Sequence, residues 1–214
     1  MQETVIQILP EGDAEAFDQA YAIYHDAIEL TEQRTEEEFR KLRLRPDYRF
    51  LVAKRGDVIV GLSVSYVPSE DYFWLFEYAA VAPWARGDGV GAQLFAASHE
   101  LAGTQRIALI EVDADRGEDA QARRLNFYRR LDCRKLGGLS YILPLDAFGT
   151  PPPMWLLALA QPDLKALDID LVERWLRSIY EDVYARRLDD PRLARMIDPL
   201  PDRLEPRRHD VDRL

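Results

Sequence analysis

Val81-Ala-Pro-Trp-Ala-Arg86-Gly87-Asp88-Gly89-Val90-Gly91-Ala92-Gln93-Leu94 is the stretch whose reading decides the fold. An apolar, aromatic run over residues 72–81 stops at Pro83, three glycines alternate across residues 87–91, and an amphipathic pattern starts at once behind them. That order predicts a strand, a glycine-rich turn and a helix N-terminus. Glycine has no Cβ to keep a ligand off the backbone, and the first turn of a helix presents N–H groups without an internal partner. With the positive end of the helix dipole, such donors suit an anion, most often a phosphate. The stretch predicts a site for the pyrophosphate of a nucleotide-containing cofactor.

Composition bounds the rest. A chain of 214 residues with 47% hydrophobic content fits one domain with an appendage and can bury a core of ordinary size. Lys and Arg number 28 against 38 Asp and Glu, a formal net charge of −10. Such a surface repels nucleic acid and anionic lipid, so neither is an expected partner, and it mildly favours a cationic small molecule. Cys133 is the single cysteine, which rules out an internal disulfide and any Cys-based metal framework; no metal is expected. No apolar run approaches the length of a membrane span, and the first residues lack a basic region followed by an apolar one, so a cytoplasmic protein is the expectation.

Outward from the glycine turn, residues 4–9 read as a short strand ended by Pro10. Phe17, Ala20, Tyr21, Tyr24, Ala27 and Ile28 form one apolar helical stripe. Thr35 followed by Glu36, Glu37 and Glu38 has the form of a capping box, opening a second helix through Phe39 and Leu42. Residues 48–54 and 58–67 are β-rich runs around Arg55-Gly56-Asp57, an antiparallel hairpin, and residues 72–81 make a third, central strand. Val90, Leu94, Ala97 and Leu101 line a helix that ends near Gly103. Residues 106–112 form the next strand, and an acidic loop leads to a helix through Leu125 and Tyr128. Residues 134–143 and 154–159 read as two further strands, separated by Pro151, Pro152 and Pro153. Val172, Trp175, Leu176, Ile179, Tyr180, Val183 and Tyr184 form a broad C-terminal stripe, read as a docking helix with a dimer contact or a lid as alternatives. Residues 189–214, rich in Pro, Arg and Asp, are expected to be loosely held.

Two cofactors fit the glycine turn. Gly87-x-Gly89-x-x-Ala92 matches a dinucleotide-binding fingerprint, and Glu111 ends the next strand where a ribose-binding acid belongs, an NAD-linked oxidoreductase reading. Against it, Pro83, Trp84, Ala85 and Arg86 intervene between strand and glycine, and antiparallel strands precede the turn where a parallel βαβ unit should open. Arg86-Gly87-Asp88 is also the tripeptide that integrins bind, but nothing here suggests secretion. Arg86-Gly87-Asp88-Gly89-Val90-Gly91 fits the Arg/Gln-x-x-Gly-x-Gly/Ala motif of the GNAT acyltransferases, and the order of strands and helices around it resembles that superfamily over residues 4–159. Asn126-Phe127-Tyr128-Arg129-Arg130-Leu131 is similar to the segment in which GNAT enzymes carry a tyrosine beside the CoA sulfur. The sequence departs from the family at Gln121, where many members have Asn, and at Leu131-Asp132-Cys133, where they read Leu-Gly-Phe.

The resemblance implies an α/β (α+β) fold with a mixed, mostly antiparallel sheet flanked by helices over residues 1–160, followed by a C-terminal helical extension and tail over residues 161–214. It implies acetyl-CoA as donor, bound by Ala79, Ala80, Val81, Arg86, Gly87, Asp88, Gly89, Val90, Gly91, Ala92 and Gln121. The Val81 N–H would be directed at the thioester oxygen. Acetyl transfer needs an unprotonated amine, a stabilised oxyanion and a proton for the departing thiolate. Tyr128 is the candidate acid, with simple packing against Leu125 and Leu131 as the alternative. Glu77 and Glu111 each interrupt an apolar row of a strand and compete to be the base; the alternative for each is a structural hydrogen bond or an arginine partner. His25 and His99 read as ordinary polar positions. The expected activity is acetyl transfer to the primary amine of a small molecule or peptide by direct attack, with no nucleic-acid or membrane partner and with a homodimer through the C-terminal stripe left open. A non-catalytic acyl-CoA sensor or scaffold is the rival from another class.

Overall fold

In the computed structural model, residues 2–30, 32–114, 117–145, 153–159 and 166–207 are described. The chain divides into two compact units, 1–108 and 109–214.

The first unit opens with strand β1 (Val5–Ile8) and helix α1 (Ala14–Ala27), whose first turn is capped by the Asp13 carboxylate accepting from Ala16 N. Helix α2 (Glu36–Arg43) carries the expected capping box: Thr35 Oγ1 accepts from Glu38 N, and the Glu38 carboxylate accepts from Thr35 N. Strands β2 (Tyr48–Arg55), β3 (Val58–Tyr66) and β4 (Phe73–Val81) follow as an antiparallel meander, with β1 on the outer side of β2. β4 is buried over its first four residues, as its continuous apolar run predicts. A short 3-10 turn (Pro83–Ala85) and the glycine loop lead to helix α3 (Val90–Ala102). Its buried face, Val90 and Leu94, packs with Leu51, Ala53, Val60, Ala82 and Ala85 in one apolar cluster.

Strand β5 (Ile107–Asp113) runs across the boundary between the units. In the second unit, helix α4 (Asp119–Arg130) precedes strands β6 (Cys133–Leu136) and β7 (Met154–Leu159), and β7 pairs antiparallel with both β5 and β6. The strand expected over residues 134–143 ends at Leu136. A Cβ on Gly137 would lie 2.8 Å from the Arg207 side chain and 2.9 Å from the Glu205 carbonyl, so the chain turns where the C-terminal segment crosses it. Tyr141 then makes a single bridge to Met154. Pro151 and Pro152 lie outside the described residues.

Strand β8 (Leu167–Asp168) leads into helix α5 (Ile169–Ser178), which continues as a π turn (Ile179–Val183). Val172, Trp175, Leu176, Ile179, Tyr180 and Val183 are all buried, so the C-terminal stripe is spent on docking. At about 1.5–3 kcal/mol for each large apolar side chain, that burial is a substantial term. The expectation of a loose tail is overturned up to residue 207. Helix α6 (Pro191–Ile197) buries Leu193 and Met196, strand β9 (Arg203–Leu204) pairs with β8, and strand β10 (Pro206–Arg207) pairs with β6. The polar composition conceals three well-spaced apolar anchors, Leu193, Met196 and Leu204.

Candidate active site

The glycine loop has the backbone features of an anion cradle. Gly87 and Gly89 stand at φ 91° and 79°, a left-handed conformation that a side chain disfavours. A Cβ on either would meet nothing within 4 Å, so the requirement for glycine is conformational and the loop faces open space. Asp13, Thr35, Asp168 and Asp190 cap α1, α2, α5 and α6 with their side chains, whereas no side chain caps α3 at Gly89 or α4 at Glu118. The first internal bond of α3 runs from Gln93 N to Gly89 O, 3.1 Å, which leaves the amides of Val90, Gly91 and Ala92 without partners inside the helix. The neighbouring Asp88 carboxylate is turned to Arg55 at 2.9 Å, which neutralises the one acid in the loop. Arg86 Nε donates to the Val81 carbonyl at 3.0 Å and ties the loop to the end of β4. These groups fit a pyrophosphate.

The end of β4 offers a second donor. Ala82 N donates to Val60 O at 2.9 Å, so position 82 is a hydrogen-bonded pair with β3. By the alternation of an antiparallel ladder, the N–H groups of Val81 and Ala79 then turn away from β3, while Ala80 faces it. One reading of the strand needs correction. Val64 pairs with Tyr78 and Ser65 with Phe76, so Glu77 is the extra residue of a β-bulge. Phe73, Leu75, Glu77, Ala79 and Val81 therefore do not share one face: beyond the bulge Ala79 and Val81 continue the row of Trp74 and Phe76, and Tyr78 and Ala80 continue that of Phe73 and Leu75.

At the bulge the Glu77 side chain is 1% exposed and its Oε1 accepts from Arg34 at 2.8 Å. Arg34 belongs to the loop between α1 and α2, which tyrosines pin in place. Arg34 N donates to the Tyr24 hydroxyl at 2.7 Å, and the hydroxyls of Tyr21 and Tyr78 donate to the carbonyls of Arg34 and Glu32. Glu77 Oε2 is buried without a hydrogen bond. The Tyr48 phenol lies beside this carboxylate; burial first, and then the charge of Glu77, raise its pKa. Burial lowers the proton affinity of the Arg34 guanidinium, but Glu77 more than restores it, and the net shift is upward. The acids of α2 are locally engaged: Glu36 with Arg40, Glu37 with Lys41, and Glu38 in the cap.

The remaining candidates lie in the second unit. Glu111, partly exposed on β5, accepts from two phenols: Tyr184 Oη at 2.6 Å on Oε2 and Tyr141 Oη on Oε1. Tyr128, on the last turns of α4, is 8% exposed, with its ring edge-on to Phe127. Burial, with Cys133 adding and Arg124 opposing, raises its phenol pKa above the ordinary value. Gln121 is buried in the first turn of α4. Burial pushes the Cys133 thiol up to about 12, so it stays a thiol at neutral pH. In the first unit, His25 lies in the last turn of α1 and His99 stacks on Trp74, where burial lowers its pKa and keeps the imidazole neutral. The sequence reading passed over Arg34, Tyr141 and Tyr184 as site residues. Tyr184 had been counted only among the apolar positions of the stripe.

Residues 46–132 match the sequence model of the acetyltransferase (GNAT) domain. A protein described as a GNAT-family acetyltransferase from Bacteroides thetaiotaomicron is 21% identical, with a TM-score of 0.69 over 86% of this chain and 99% of that one. The ribosomal-protein-S18-alanine N-acetyltransferase from Escherichia coli is 16% identical, with a TM-score of 0.55 over 76% of this chain and 99% of that one. An aminoglycoside acetyltransferase from an uncultured soil metagenomic sample, in complex with sisomicin, is 21% identical, with a TM-score of 0.51 over 69% of this chain and 96% of that one. No curated protein matches the sequence. The fold is that of the GNAT acyltransferases, a mostly antiparallel sheet with flanking helices. The match to a GNAT acetyltransferase domain thus runs from β2 through α4.

Proposed function

We propose that this chain transfers an acetyl group from acetyl-CoA to the primary amine of a small molecule or peptide, by direct attack. The observation that carries the reading is the uncapped N-terminus of α3 behind Gly87 and Gly89, inside the segment that matches the GNAT domain. The amides of Val90, Gly91 and Ala92, with the backbone of Arg86, Gly87, Asp88 and Gly89, hold the pyrophosphate; Ala79, Ala80 and Val81 run beside the pantetheine, and Gln121 adds a contact. Bound acetyl-CoA supplies an acetyl thioester. The Val81 N–H, turned away from β3, donates to its carbonyl oxygen as charge develops there. Tyr128 protonates the departing thiolate, because burial keeps its phenol in the acid form.

Of the two glutamates, Glu111 is the base. Glu77 is held by a guanidinium, and its side chain is closed to an acceptor. Glu111 accepts from two phenols and is partly exposed. The net charge of −10 favours cationic acceptors. The setting proposed is cytoplasmic; no described helix is long and apolar enough to cross a membrane.

Calorimetric titration with acetyl-CoA and with NAD, followed by a screen of amines read by thiol release, tests the reading. Acetyl-CoA should bind and thiol release should require an amine, with cationic amines ahead of neutral ones. Binding of NAD alone would overturn the proposal.

A further inference from the structure

The C-terminal segment ends its helix in an irregular way. The turn over Ile179–Val183 is wound wide: Tyr184 N donates to Ile179 O at 3.3 Å, five residues back, and Arg186 N donates to Tyr180 O at 2.7 Å. Ala185 follows at φ 52°, a left-handed conformation that a residue with a Cβ disfavours. Both irregularities cost free energy, and the buried side chains of Ile179, Tyr180 and Val183 hold them in place. An ordinary helical turn would rotate Tyr184 by a different angle about the axis. The wide turn delivers its hydroxyl to Glu111 Oε2 at 2.6 Å.

Tyr141 meets the other oxygen. It lies beyond β6, bridged to Met154 and 3% exposed, and its hydroxyl donates to Glu111 Oε1. The neighbouring Tyr180 hydroxyl is directed elsewhere, to Ile142 O at 2.6 Å, which braces the Tyr141 segment against the π turn. With one phenol on each oxygen, the carboxylate cannot rotate without breaking a hydrogen bond.

We propose that Tyr141 and Tyr184 are positioning residues for Glu111, and that the C-terminal segment is thereby a working part of the enzyme. The assignment rests on the reading of Glu111 as the base. Positioning matters because a shift of about 1 Å in a reacting group can cost on the order of 100-fold in rate.

The test uses the full chain with Tyr184→Phe, Tyr141→Phe and the double variant. One readout is the side-chain carboxylate signal of Glu111 in glutamate-labelled protein at a single neutral pH, assigned with Glu111→Gln. The other is kcat and KM with acetyl-CoA and the best amine of the screen. Each single variant should shift the signal and lower kcat about tenfold, and the double about 100-fold, with KM for acetyl-CoA within about twofold. An unshifted signal in Tyr184→Phe overturns the clamp. A shifted signal with unchanged kcat overturns the positioning role. If Tyr141→Phe fails to fold, Tyr184→Phe at its partly exposed site decides alone. A wild-type chain that binds acetyl-CoA yet acetylates no amine overturns the functional reading instead, and the carboxylate signal still tells the two failures apart.

Discussion

Glu77 and Glu111 look alike in the sequence: each is a single acid interrupting an apolar row of a strand. In the fold they are held by opposite means. Glu77 sits on a bulge, sealed from solvent, with a guanidinium 43 residues away in sequence on one oxygen and no hydrogen bond on the other. Glu111 keeps strand register, stays partly exposed, and takes one neutral phenol on each oxygen, from 30 and 73 residues away. A cation on a buried carboxylate makes a lock, because removing it strands a charge in a low-dielectric site. Phenols on both oxygens make a mount: they fix the direction of the group. Under the proposed function it is their partners, rather than the acids themselves, that separate the two carboxylates.

The difference is broken most directly by exchanging each acid for its amide. Glu111→Gln should lower kcat by about 100-fold to 10,000-fold, the range for loss of a general base, while Glu77→Gln should lower it by less than about tenfold. Steady-state kinetics with the same amine decides. If Glu77→Gln is the more damaging, the assignment of base and lock is reversed.

The lock is tested by stability. Arg34→Met leaves the Glu77 carboxylate buried without its cation and should cost about 3–5 kcal/mol. Urea unfolding monitored by tryptophan fluorescence measures it. Adding Glu77→Gln to that variant removes the stranded charge and should recover more than half of the loss. A cost for Arg34→Met below about 1 kcal/mol would place the pair with exposed ion pairs, and the contrast with Glu111 would collapse.

Why the sequence separates the two acids so poorly follows from where the information lies. The capping box at Thr35 and Glu38, the antiparallel meander and the glycine turn are local patterns, and all are present as read. The bulge at Glu77 is a property of two strands, since only the register against Val64 and Ser65 creates the extra residue. Arg34 lies between the two predicted N-terminal helices, in no pattern of its own, and the three tyrosines that pin it belong to the apolar stripe of a helix or to a strand. The same blindness to long-range partners hid Tyr141 and Tyr184. The folded tail was partly legible: Asp190 followed by Pro191 is an N-cap and first-turn proline, a helix start that the Pro-rich composition masked. The cradle was the most legible part of the site because its donors are backbone groups fixed by glycine spacing alone.

In the proposed reaction Tyr128 is the acid that complements Glu111 as base, and it shares a unit with that glutamate rather than with Glu77. Tyr128→Phe should lower kcat about 100-fold and leave the acetyl-CoA dissociation constant within about twofold, by kinetics and calorimetry. Burial raises the phenol pKa, so the acid form persists beyond pH 10, and kcat should show no alkaline fall from this group below about pH 10. The sign for stability follows. The neutral phenol's contribution is complete below the unfolded-state value of about 10 and is lost at higher pH, where the unfolded chain ionises first. Tyr128→Phe should flatten the loss of stability above pH 10. A steep alkaline fall of kcat near pH 8 that vanishes in this variant would mean a phenol lowered by a partner, and would detach Tyr128 from the buried site described.

The smallest effect is the finest test of lock against mount. Tyr48 places a buried phenol beside Glu77 without a hydrogen bond, whereas the Tyr184 hydroxyl donates to Glu111. Removing a hydroxyl that makes no hydrogen bond forfeits little, and the phenol's own desolvation cost goes with it. Tyr48→Phe should therefore change stability by less than about 0.5 kcal/mol in either direction. Tyr184→Phe removes a hydrogen bond to a charged group and should cost about 1.5–3 kcal/mol. Paired urea unfolding curves of the two variants give the comparison without any enzymatic assay. Equal costs at the two positions would mean that Glu77 also draws on a neutral donor, and that its guanidinium is only part of what holds it.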